Sequence, residues 1–89
     1  MKHFTTRVMR DAIAQMNATI DALEIKGAIW GTGRGAGTND NESWTCFLSG
    51  FYQGRPFRYE CSSEPCEHWA IVECAIRAHR ELNPWPSTP

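Results

Sequence analysis

The sequence has no long apolar run and no excess of charge of either sign. Nine Lys and Arg against ten Asp and Glu leave a net charge of -1 over 89 residues. No stretch approaches the roughly 18 consecutive apolar residues that a membrane-spanning helix needs, so no membrane span is expected. Met1 to Asp11 alternates charged and apolar residues, unlike a secretory leader with its basic start and apolar middle. Without such a leader, a cytoplasmic chain with reduced thiols is the expectation. The missing basic excess argues against generic nucleic-acid binding, which draws its affinity from phosphate neutralisation. Also missing is any Gly-Lys-Ser/Thr. Gly31-Thr32-Gly33-Arg34-Gly35-Ala36-Gly37 imitates a phosphate loop, but the next element reads as a strand, whereas such a loop must open onto a helix N-terminus.

What is present is globular: 42% hydrophobic, 21% charged and 11% aromatic residues. That composition supports one packed core and excludes disorder. Met9, Ile13, Met16, Ile20 and Leu23 recur at alternating spacings of four and three, one face of a helix from about Thr6 to Leu23, with Thr5 or Thr6 as its cap. Lys26 to Thr32 reads as a first strand. Residues 33–41, rich in Gly and Asn, read as a flexible loop with Arg34 at its tip.

Ser43 to Tyr52 and Arg55 to Cys61 are the strongest strands, joined by a turn at Gln53-Gly54. A turn centred there opposes Cys46 with Cys61, Leu48 with Tyr59, Gly50 with Phe57, Phe47 with Glu60 and Ser49 with Arg58. Trp44, Cys46, Leu48, Phe57, Tyr59 and Cys61 then share one apolar face, which is the predicted core side. Thr45, Phe47, Ser49, Phe51, Arg58, Glu60 and Ser62 share the other.

Ser63, followed by Glu64, Pro65 and Glu67, reads as the cap and first turn of a second helix. Its buried stripe is Ile71, Cys74, Ala75, Ala78 and Leu82, and Asn83-Pro84 ends it. The predicted fold is α+β in the order α-β-β-β-α, a three-stranded antiparallel meander with two helices on one face. Residues 1–83 form one domain, and residues 84–89 a Pro-containing extended tail.

Candidate chemistry is sparse. Cys61, Cys66 and His68 could open a zinc site completed by Cys74 or Cys46, making a small zinc-stabilised domain, but no second tight ligand pair follows. Cys46, Cys61 and Cys74 fit better as small core hydrophobes, and no metal or cofactor is expected. Cys46 and Cys61 face each other and could form a cross-strand disulfide if oxidised, but thiols are expected in a reducing cytosol. Cys66 near His68 is the one candidate nucleophile, and it lacks an orienting group, so no enzyme is expected.

The outward sheet face is the informative feature. Phe47 and Phe51 beside Arg58 and Glu60 have the aromatic-plus-arginine make-up of protein interfaces. The expected occupant is a protein partner, with a homodimer mate, the Trp85 tail or single-stranded nucleic acid as alternatives. The candidate partner-binding residues are Arg34, Asp40, Glu42, Phe47, Phe51, Arg58 and Glu60.

The α-β-β-β-α order resembles the double-stranded-RNA-binding domain. There a Lys-Lys motif at the last helix grips phosphates; here Ser62-Ser63-Glu64-Pro65-Cys66-Glu67-His68 puts acids in place of the lysines. In size, compactness and lack of catalytic motif the chain also resembles small phage-encoded inhibitors of bacterial defence, such as anti-CRISPR proteins. That resemblance implies steric occupation of a surface on a bacterial effector complex.

Overall fold

A computed structural model describes residues 6–35, 43–64 and 66–83. The chain is an α+β fold in the expected order: α1 (Thr6–Leu23), β1 (Lys26–Gly35), β2 (Ser43–Tyr52), β3 (Arg55–Glu64) and α2 (Glu67–Leu82). The strands form one antiparallel sheet in the order β1-β2-β3, and both helices lie on one of its faces. No helix among the described residues is long and apolar enough to cross a membrane.

The apolar spacing of α1 produces the helix over the predicted range. Thr6 is its first residue, and Thr5 lies outside the described residues. Its stop is a Schellman motif that the sequence does not advertise. The Ile25 amide donates to the Ile20 carbonyl and the Glu24 amide to the Asp21 carbonyl, both at 3.1 Å. Glu24 takes the left-handed conformation, φ 55°, that glycine fills more easily. Ile25 is buried and packs with the partly buried Ile20 in the core, the apolar contact typical of this cap.

β1 begins irregularly. Lys26 opposes Phe51 and Ile29 opposes Ser49, so one extra residue bulges out of β1 at Gly27-Ala28. Gly50 on β2 makes room for it. A Cβ at Gly50 would stand 2.7 Å from Ile25 Cγ2 and 3.0 Å from the Lys26 carbonyl oxygen. Phe57 does oppose Gly50 as predicted, but the space is also claimed from the β1 side. At its far end β1 continues to Gly35, three residues beyond the expected stop at Thr32. Gly33, Arg34 and Gly35 pair with Thr45, Trp44 and Ser43. Ladder hydrogen bonds along β2 outweigh the loop-like composition of this segment.

The β2–β3 hairpin has the predicted register at all five pairs. Gln53 and Gly54 both have positive φ, 53° and 83°. This is the two-residue turn whose twist matches the strands it joins. β3 differs at its end. Trp44 pairs with Glu64, past a register shift, so β3 runs through Ser62, Ser63 and Glu64. The predicted cap at Ser63 is therefore a strand residue. α2 starts at Glu67 with Cys66 as its N-cap in extended conformation. Pairing with β2 holds the chain extended over the very residues that look like a helix start.

α2 crosses β2 and β3, and α1 packs mainly against α2. The buried surface of α2, against the sheet and α1, is made of Ala70, Ile71, Cys74, Ala75 and Ala78. Small side chains let the helix backbone come close to its neighbours. Met16, Leu48, Ile71, Cys46 and Cys74 are the largest fully buried side chains. Leu82 is only partly buried at the core margin. Glu67 sits where the helix dipole favours an acid, and its Oε2 accepts a 2.6 Å hydrogen bond from Thr32 Oγ1, fastening α2 to β1. His79 and Arg80 occupy the last turn, where positive charge is favoured.

Candidate interaction surface

Alternation along the strands puts a second set of residues on the face turned away from the helices. β1 supplies Ile29, Gly31 and Gly33; β2 supplies Thr45, Phe47, Ser49 and Phe51; β3 supplies Pro56, Arg58 and Glu60. Four of the predicted partner-binding residues, Phe47, Phe51, Arg58 and Glu60, are therefore together.

Their arrangement is layered. The Phe47 ring lies beside Gly31, where an added Cβ would be 3.2 Å from Phe47 Cε1. Arg58 covers the ring from the β3 side, its guanidinium carbon 4.5 Å from the ring centroid. Arg58 Nη2 also stands 3.7 Å from Glu60 Oε2, a half-exposed ion pair that does little for stability. It gives the guanidinium over the Phe47 ring a second contact. The Thr45 hydroxyl donates to the Gly33 carbonyl at 3.3 Å. The Glu60 carbonyl accepts from Arg77 Nη1 of α2 at 3.3 Å.

Beside this ordered centre lies exposed apolar surface. Ile29 is 61% exposed and Phe51 48%. Ile29 was not among the predicted residues. Finding it needs the β1–β2 register, which the bulge at Gly27-Ala28 conceals; the usable signal is the alternation of Ile29 with Trp30 and Gly31.

The other candidates lie elsewhere. Arg34 is not at a loop tip. It pairs with Trp44 on β1, on the helix side of the sheet, with its guanidinium carbon 5.6 Å from the Trp44 ring centroid. It is separated from the Phe47 group by the sheet itself. Asp40, Glu42 and Trp85 lie outside the described residues.

The thiols divide in two. Cys66 is partly buried at the start of α2, whereas Cys46, Cys61 and Cys74 are in the core. Among the described residues, no group of three or more His, Cys, Asp and Glu is placed to hold a metal ion. A donated hydrogen bond from Cys74 holds the Cys46 thiol below the usual thiol range, against the opposing effect of burial. The same bond, then burial, pushes Cys74 far above that range.

Among the described residues, clefts indent the helical side. One of about 380 Å3 lies between the end of α1 and the β2–β3 turn, against Leu23, Tyr52 and Gln53. Another of about 330 Å3 separates α1 from α2, lined by Gln15, Thr19, Ile76 and His79. Neither is lined by a serine or cysteine. No family model, no curated protein and no solved structure matches this chain.

Proposed function

We propose that this chain is a non-enzymatic protein-binding module whose outer sheet face seats a partner protein. The observation that carries the reading is the exposure of Ile29 and Phe51 on the face that also holds the Phe47–Arg58–Glu60 group. An apolar centre flanked by a preorganised arginine and a polar rim is the make-up of energetic hot spots. A guanidinium already held on a ring loses less conformational freedom on binding than a free arginine does. The resemblance to anti-CRISPR proteins supports a bacterial effector complex as the partner and steric blocking as the mode of action.

The test is capture from bacterial lysate on the tagged chain, with and without nuclease, beside a Phe47→Ala/Phe51→Ala variant shown to be folded by circular dichroism. The reading expects one protein complex retained in both lysates and lost from the variant. Retention only without nuclease would point instead to nucleic acid on this face. Equal retention by the variant would remove the face from the account.

A further inference from the structure

A sheet in the order β1-β2-β3 has two outer edges, and they are finished differently. The two-residue turn at Gln53-Gly54 closes on Tyr52–Arg55, a pair of the hydrogen-bonded kind. Alternation from that pair turns the backbone groups of Phe47, Ser49 and Phe51 toward β1. It turns those of Pro56, Arg58 and Glu60 to the outside of β3. Pro56 has no N–H to offer there, and the Glu60 carbonyl already accepts from Arg77 Nη1 at 3.3 Å. A proline, charged side chains and an occupied carbonyl thus blunt the β3 edge against further pairing.

The β1 edge has no such protection along most of its length. Ile29, Gly31 and Gly33 face β2, and the Thr45 hydroxyl bonded to the Gly33 carbonyl marks that direction. Trp30, Thr32 and Arg34 therefore turn their N–H and C=O groups to the open side of β1. Among the described residues no strand pairs with them. The bulge at Gly27-Ala28 guards only the start of the edge. Residues 29–35 then run in unbroken register with β2, with no proline and with Arg34 as their one charge.

This segment is complementary to itself. Laid antiparallel on a second copy about its midpoint, it sets Thr32 against Thr32, Trp30 against Arg34 and Ile29 against Gly35. Each residue with outward backbone groups then meets another, so every such pair exchanges both N–H···O bonds. No like charges are opposed, threonine meets threonine, and the guanidinium of each copy meets an indole of the other. On the outer side each Ile29 stands beside glycine backbone, and Gly31 opposes Gly33, so nothing bulky obstructs the approach.

We propose that β1 is a self-pairing edge, through which two copies of this chain join by residues 29–35 into one continuous six-stranded sheet. The two-fold axis passes between the paired Thr32 residues, perpendicular to the sheet. The helices of both copies stay on one side, and the two outer faces lie next to each other on the other side. Phe47, Phe51, Arg58 and Glu60 remain uncovered. The inference is independent of what the outer face binds, because the contact is made by the edge.

The test is sedimentation equilibrium of the full chain in reducing buffer, from micromolar to millimolar concentration, beside Arg34→Pro and Phe51→Ser. Proline is tolerated where the lost N–H faces an open edge, so Arg34→Pro keeps its circular dichroism spectrum while each copy loses a bond across the axis. The expected result is a monomer–dimer equilibrium that Arg34→Pro weakens about 10-fold or more and Phe51→Ser leaves unchanged. A chain that is monomeric throughout overturns the proposal and leaves the edge to a strand of a different protein. A dimer that Arg34→Pro leaves intact, or that Phe51→Ser dissolves, overturns it by placing the contact elsewhere. If Arg34→Pro does not fold, amide hydrogen exchange of the unaltered chain decides. Protection at Trp30, Thr32 and Arg34 must rise with protein concentration while that at Arg58 and Glu60 stays constant; the opposite pattern, or no concentration dependence, overturns the proposal.

Discussion

The two faces of the sheet are built from the same strands and both carry large apolar side chains, yet these end in different environments. On the inner face Cys46 and Leu48 have no exposed surface. On the outer face Phe51 and Ile29, no smaller than Leu48 and also apolar, stay about half exposed or more. Among the described residues the helices cover one face only, with α2 and its alanine-rich buried stripe against β2 and β3. Burial follows from what packs against a strand, and residue type alone does not decide it. The inner face stabilises the fold. The outer face adds little to it, and a partner that covered it would supply the missing burial at about 25 cal/mol per Å2 of apolar area.

The sharpest break in this comparison comes from equivalent truncations on the two faces. Leu48→Ala should destabilise the protein by about 3 kcal/mol in urea unfolding, because the emptied space is enclosed. Gly50→Ala should cost about 2 kcal/mol, since its methyl group meets Ile25 and the Lys26 carbonyl. That loss would show β1 to be locked in place by steric fit as well as by hydrogen bonds. Glu24→Gly should act in the opposite direction and raise stability by about 0.5–1 kcal/mol. It relieves a left-handed residue without touching either face. Phe51→Ser should change stability least, by about 0.5 kcal/mol or less, as expected of a surface substitution. A loss comparable to that of Leu48→Ala would mean that Phe51 belongs to the core.

Most of this division can be read from the amino acids. The strict alternation from Trp44 to Cys61, with a turn at Gln53-Gly54, admits one register, because a slip of one residue would bury Arg58 and Glu60. The spacing from Met9 to Leu23 likewise delimits α1. What remained hidden depends on competition between elements. Ser63-Glu64-Pro65 carries the local signals of a helix start, and the Trp44–Glu64 pairing overrides them. Gly33-Arg34-Gly35 has loop composition, and pairing with β2 makes it strand. That change moves Arg34 to the other face, away from Phe47, Phe51, Arg58 and Glu60. Ile29, the most exposed large apolar side chain among the described residues, was concealed by the bulge at Gly27-Ala28, which lies against Gly50. Asp40 and Glu42 lie outside the described residues.

The central claim, that the outer face is the binding surface, is tested most directly by measuring partner affinity for Ile29→Ser/Phe51→Ser beside Trp69→Ser. Trp69 is a matched control, 47% exposed but carried by α2. The account predicts a loss of about 30-fold or more for the double variant, the effect of deleting a hot spot, with wild-type affinity for Trp69→Ser. The reverse order, or equal affinities in all three folded proteins, would contradict it.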